Sequence, residues 1–230
     1  MKKTREQGEK PQVGQRIELS IHDLAETGAG VGRDRGFVFF VRDALPGARV
    51  LARVTSVKKN LAEAVAETVL SPSPLARDPL CAHFGQCGGC LLQNVTDAAQ
   101  LEWKTGRVRQ ALARIAGLGE PRVRPALASP RTTRYRNKME FAFGGTLGPD
   151  LVLGLRHRSR PDRVVDLSEC HLCPEPVLTV LDTVRRLARE TGLAAHSGRA
   201  GEGQGFFRHL VVRALSSGDL HANLITSPAP

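Results

Sequence analysis

The fold class this sequence predicts is a small all-β barrel, then a cysteine-bearing loop, then an α+β domain, and three observations predict it. Short strand-like segments crowd the stretch from Val13 to Val69, and three cysteines (Cys81, Cys87 and Cys90) follow within ten residues. Over the second half, strand-like segments surround a clear helical repeat.

In the first segment, Arg16–Ile21, Gly36–Val41, Ala48–Val57 and Leu61–Val69 read as strands, punctuated by turns such as Asp43-Ala-Leu-Pro-Gly47. Several short strands in so few residues suit an OB-like barrel over residues 11–70, after a flexible tail at 1–10. Ser71-Pro-Ser-Pro74 is a stiff break, because each proline restrains itself and its predecessor. The cysteine loop occupies residues 71–96, and an α+β domain fills 97–230. It opens with a helix from Thr96 or Asp97, where Asp97-Ala-Ala-Gln100 has capping-box spacing. Leu101, Val108, Leu112 and Ile115 share one face of that helix, and Gly117 ends it. A second helix is expected from Pro176 to Glu190, with Val177, Val180, Leu181, Val184, Leu187 and Ala188 at helical spacing and Gly192 as the stop. Strands are expected at Lys138–Phe143, Leu151–Arg158, Val164–Leu167, Phe207–Leu215 and Leu220–Ser227. Gly144-Gly-Thr-Leu-Gly-Pro-Asp150 and Ser216-Ser-Gly-Asp219 serve as hairpin connections. The chain stops just past a strand, which reads as a cut within the last domain.

The 230 residues start with a charged, polar stretch unlike a signal peptide, and no apolar run approaches a membrane span. A cytoplasmic protein with no membrane partner is expected. The net charge is +10, and the segment Lys104–Arg163 carries all of it, with 14 Lys or Arg against Glu120, Glu140, Asp150 and Asp162. Dense arginine suits phosphate oxygens, which its planar fork matches; the plainer alternative is a solvated basic face.

Five cysteines in a reducing compartment point to metal ligation before disulfides. Two arrangements fit the spacing. Cys87-x2-Cys90 with Cys170-x2-Cys173 would make a tetrathiolate zinc site and leave Cys81 over. Cys81, Cys87 and Cys90 with one distant cysteine would hold an iron–sulfur cluster and leave one thiol over. Gly88 and Gly89 suit either, since close backbone approach favours residues without a Cβ.

Gly28-Ala-Gly-Val-Gly32 is not a dinucleotide fingerprint, because a strand rather than a helix follows it; it reads as a turn in the barrel. Arg131-Thr-Thr-Arg-Tyr-Arg-Asn-Lys138 combines cations with one aromatic ring, which suits phosphate contact by Arg131, Arg134, Arg136 and Lys138 and base stacking on Tyr135 or Phe141. A charged strand edge is the bland alternative. His157 and His209 are assigned no chemistry.

These residues resemble a known family. Val13–Val69, with Thr27-Gly-Ala-Gly-Val-Gly32, Phe39-Phe-Val41, Ala44-Leu-Pro-Gly47 and Val57-Lys-Lys59, is similar to a TRAM domain, an OB-like RNA-binding barrel. Cys81-x5-Cys87-Gly-Gly-Cys90-x2-Gln93 resembles the iron–sulfur segment of the TRAM-containing RNA uracil-5-methyltransferases. Tyr135-Arg-Asn-Lys-Met-Glu-Phe141, Val164-Val-Asp-Leu-x-x-Cys170 and Phe207-Arg-His-Leu-Val-Val-Arg213 resemble that family's central-domain motifs, and Arg208 in the last joins the expected RNA-binding set.

The resemblance implies a structural [4Fe–4S] cluster on Cys81, Cys87, Cys90 and Cys170, with Cys173 outside the ligand set. It implies an S-adenosylmethionine-dependent RNA (uracil-5-)-methyltransferase, of the 23S ribosomal-RNA branch rather than the tRNA branch, with RNA as partner and no protein partner. In that family a Rossmann-like domain binds S-adenosylmethionine and supplies a catalytic cysteine, which adds to uracil C6, and a glutamate base. No residues of this chain match that domain's motifs. It is therefore expected to be absent, leaving no catalytic or S-adenosylmethionine-binding residue here and a chain inactive alone. A free-standing RNA-binding module is the alternative. A radical RNA-modifying enzyme is disfavoured by the x5 cysteine spacing.

Overall fold

Alternating side chains set the first unit. β1 (Arg16–Leu24) turns Leu19 and Ile21 inward, β3 (Phe37–Arg42) turns Phe39 and Val41, and β4 (Arg49–Val57) turns Val50, Ala52 and Val54. With β2 (Gly30–Asp34) and β5 (Leu61–Ser71) they close a barrel in the order β1-β2-β3-β5-β4, in which β3 and β5 run parallel. The computed structural model describes residues 10–196 and 205–228. All but the last residue of the tail expected over 1–10 lies outside them.

Part of the glycine run expected to be a turn is a strand. Gly28 does turn, with φ 78°, but Gly30 and Gly32 lie in β2 between β1 and β3. The reason is space: a Cβ on Gly30 would come within 2.6 Å of Ile21 Cγ2 and 2.7 Å of the Ala44 carbonyl oxygen. Outside the barrel, Arg16 and Arg53 stand directly opposite each other, and Glu67 accepts from both at 2.7 and 2.6 Å. The Arg16 hydrogen bond, then the Arg53 one, holds the Glu67 carboxyl below its ordinary value.

The chain forms two compact units, Met1–Asp78 with Leu91–Ala128, and Pro79–Cys90 with Ser129–Pro230. The first helix, α1 (Asp97–Arg114), thus groups with the barrel, whereas the sequence placed it at the head of the second domain. The residue that docks it is Trp103, which packs with Leu24, Leu45 and Val95 and donates its indole N–H to the Leu24 carbonyl at 3.0 Å. No residue of α1 is buried, and Val108 of the expected apolar face is 52% exposed. Thr96 rather than Asp97 is the N-cap and makes no side-chain cap bond; the Asp97 carboxylate pairs with Arg77 at 3.1 Å.

The second unit holds an antiparallel sheet in the order β10-β9-β6-β7-β8. Its strands are β6 (Lys138–Gly144), β7 (Val152–His157), β8 (Arg160–Asp166), β9 (Phe207–Ala214) and β10 (Leu220–Thr226). One face, with Phe141, Phe143, Leu153, Leu210 and Val212, packs on Val177, Leu181 and Ala188 of α2 (Glu175–Glu190). Arg185 and Arg189 of α2 reach the Asp166 carboxylate at 2.7 and 3.1 Å, tying the helix to the end of β8. No helix among the described residues is long and apolar enough to cross a membrane.

Substituting Gly30→Ala puts a methyl group against backbone as well as Ile21. It should destabilise the barrel by about 1–3 kcal/mol. The check is a lower urea midpoint with an unchanged slope.

A candidate cysteine centre and basic segment

The loop Pro79–Cys90 is laid along the end of β7. Gly88 N–H donates to the Arg156 carbonyl at 2.9 Å, and Arg158 N–H donates back to the Gln86 carbonyl at 2.7 Å. Cys87 forms a bridge pair with His157, which gives that histidine a backbone task. Both glycines are needed for this approach. A Cβ on Gly88 would stand 2.9 Å from the Arg156 oxygen, and one on Gly89 would stand 2.8 Å from Leu155 Cδ1 and 3.4 Å from Cys87 Sγ. Cys170 lies on the connection between β8 and α2, so two separate segments bring thiols to the same unit.

Each of three sulfurs receives a backbone N–H from two residues further on: Cys81 from His83, Cys87 from Gly89 at 3.4 Å, and Cys170 from Leu172. Such donors favour the thiolate, the form that ligates metal. Burial works against them, pushing Cys81 up to about 11 and raising Cys87 as well. Cys170 is drawn down to about 6. The S–H donated by Cys173 is the largest cause, and the N–H groups of Leu172 and Cys173 and the charge of Arg136 add to it against burial. Cys173, fully buried, is raised because its proton is held by Cys170. None of the five cysteines is in a disulfide. The sulfurs of Cys81, Cys87 and Cys170 lie within electrostatic reach of one another, as do those of Cys87 and Cys90. Among the described residues no three His, Cys, Asp or Glu side chains gather closely enough to hold a metal ion.

The residues around these thiols were not found by sequence reasoning. Glu169 accepts the Ala82 N–H and the Cys81 thiol, and its carboxyl sits below the ordinary range, chiefly through the Ala82 bond. His171 Nε2 is buried 3.5 Å from the same carboxylate. His83 Nε2 accepts the Ser168 N–H at 3.1 Å, linking the loop to the segment before Cys170. Their adjacency to Cys81 and Cys170 was the only available signal.

Of the residues expected to meet RNA, Arg131, Tyr135, Arg136 and Lys138 are exposed and Arg208 is half-buried, whereas Phe141 is buried in the core and offers no stacking face. Arg134 is put to another use. Its guanidinium donates to the carbonyls of Cys170 at 2.9 Å and Cys173 at 3.1 Å, and to Glu175 at 3.0 Å. Its N–H and that of Arg136 donate to the carbonyls of His171 and Leu172, both at 2.8 Å. This brings the basic segment against the Cys170–Cys173 turn, and Arg134 takes a positive φ of 56° to do so.

Arg134→Lys keeps the charge and loses the fork. It should lower unfolding stability by about 1–3 kcal/mol in denaturant titrations, whereas Arg136→Ala should stay within about 0.5 kcal/mol.

Comparisons with known proteins follow this anatomy. Residues 10–66 match the TRAM domain family. The chain is 40% identical over 218 residues to an uncharacterized RNA methyltransferase of Nitratidesulfovibrio vulgaris, covering 94% of this chain and 46% of that protein. It is 35% identical over 211 residues to an uncharacterized RNA methyltransferase of Halalkalibacterium halodurans, covering 91% and 45%. A solved structure, the Pyrococcus abyssi tRNA (uracil-54, C5)-methyltransferase in complex with S-adenosyl-L-homocysteine, matches with a TM-score of 0.63 at 26% identity, over 93% of this chain and 46% of that one. The chain spans just under half the length of the curated relatives it matches.

These matches correct the expected fold class. The sequence reading set this chain apart by the absence of the family's Rossmann-like methyltransferase domain. Instead, 93% of the chain follows a methyltransferase structure, so its fold is a TRAM barrel with a methyltransferase-like unit. A fold class rests on what the residues build, not on motifs that they do not match. The barrel matches the TRAM family, and nearly the whole chain is similar in sequence to proteins named as RNA methyltransferases.

Proposed function

We propose that this chain is the RNA-binding part of a cytoplasmic methyltransferase that acts on uracil C5 in RNA with S-adenosylmethionine as methyl donor, and that Cys81, Cys87, Cys90 and Cys170 hold a structural [4Fe–4S] cluster. The observation that carries the reading is the set of backbone N–H groups aimed at Cys81, Cys87 and Cys170 from two segments of one unit. The methyltransferase part is supported by relatives over nearly the whole chain and by a structural neighbour whose name gives a uracil C5 activity and bound S-adenosyl-L-homocysteine.

When bound, the cluster would supply a rigid four-way link between the loop and the β8–α2 connection. Cys173 stays outside the ligand set in this reading, and Cys170, which now accepts its S–H, would be free to ligate iron once that bond is given up. Arg134 holds the basic segment against the Cys170–Cys173 turn, which presents Arg131, Arg136 and Lys138 for phosphates and Tyr135 for a base, with Arg208 as a further contact. The substrate is ribosomal RNA in this reading, because the cysteine set and the TRAM barrel occur together. The Pyrococcus protein acts by its name on tRNA, so both RNAs belong in the test.

Two measurements decide. Protein purified without oxygen should be brown and contain iron and sulfide in equal amounts; colourless protein with one zinc per chain would replace the cluster by the zinc site of the two Cys-x2-Cys pairs. Binding to a ribosomal-RNA fragment should exceed that to tRNA and weaken steeply with salt. Arg136→Ala or Lys138→Ala should each lower the salt slope by about one, and unchanged slopes would remove this surface from the proposal.

A further inference from the structure

In the first unit, the β2–β3 hairpin turns through Arg35 and Gly36, with φ of 43° and 86°. Positive φ at both positions is what a two-residue type I′ turn demands, and Asn-Gly is the pair that meets it most easily. Arg35 meets it against the steric resistance of its own Cβ. Its side chain is 68% exposed, and Asp34 stands 4.0 Å away, at the limit of an ion pair. Under this turn lies a cavity of about 170 Å³, lined among others by Arg16, Ile17, Asp34, Arg35, Phe37 and Phe39. Phe39 is buried, while Phe37 packs on the barrel core and stays half-exposed. Arg16, on the same rim, pairs with Glu67 and keeps 65% of its side chain exposed.

The volume is below the roughly 300 Å³ at which drug-sized sites begin, and leaves room for a flat ring. The cavity's parts are an aromatic wall, the Arg35 guanidinium at the rim and one carboxylate able to accept a ring N–H. That is the set an unpaired nucleotide requires, since a base inside a duplex cannot present its face. A strained turn kept by a long cation, where asparagine would fold more easily, points the same way: such strain persists where the side chain has a task.

We propose that this cavity holds one unpaired nucleotide of the bound RNA. The base lies against Phe37 and donates an N–H to Asp34, and its phosphate meets Arg35. The proposal rests on the RNA-binding reading above but uses residues of the other unit.

The test is fluorescence anisotropy with a short single-stranded oligoribonucleotide, using the full chain. Phe37→Leu keeps an apolar contact with Ile17 and Phe39 and should weaken binding at least about fivefold; the loss should vanish with duplex RNA. Arg35→Asn creates the preferred turn pair, so it should raise the thermal midpoint while lowering the salt slope by about one. A gain in stability with unchanged RNA binding in both variants, while Arg136→Ala weakens binding, would overturn the pocket and leave the RNA reading standing. A wild-type chain that binds no RNA would overturn both.

Discussion

A sulfur that accepts a hydrogen bond from the N–H two residues ahead fixes the local path of the chain, and this unit does it at Cys81, Cys87 and Cys170. The rest of the arrangement is drawn along by that constraint. The loop must lie close enough to β7 for Gly88 and Arg158 to exchange bonds with their partners, and only glycine leaves that space. The turn after Cys170 must in turn be held, and Arg134 does so with three side-chain bonds. Removing any one of these would relax the others, because each orders the backbone on which the next depends.

The positive charge of the chain is divided between two kinds of work. Arg185 and Arg189 are committed to Asp166, Arg16 and Arg53 to Glu67, and Arg134 to backbone carbonyls. These arginines build the fold, through forks that a lysine could not reproduce. The full set of 33 lysines and arginines therefore overstates the number of cations available to a polyanion. Position in the charge-dense segment does not separate the two classes either, as Arg134 and Arg136 show two residues apart.

Strands and helices were legible where a repeat was strong. The α2 repeat and the alternation in β4 were read to within a residue or two. What was not legible depended on contacts distant in sequence. β2 was hidden because its glycines look like a turn, and only the approach of Ile21 and Ala44 reveals why a strand needs them. The apolar face of α1 promised burial, but Trp103, a single large side chain, does the docking. Glu169 and His171 carry no motif of their own. Fold class was misjudged for another reason, since motifs left unmatched were given weight over the architecture that is present.

The two sheets end differently, and this has a consequence for the unfolded and partly folded chain. In the barrel every strand has two neighbours, so the parallel pairing of β3 with β5 leaves no open row of backbone groups. Among the described residues the second sheet stops at β8 and β10, and Leu224 and Ile225 of β10 are 48% and 41% exposed. An apolar edge of this kind is a template on which another chain can add a strand. The hazard of self-association is thus concentrated in the second unit, and the barrel, once closed, is protected by its own geometry.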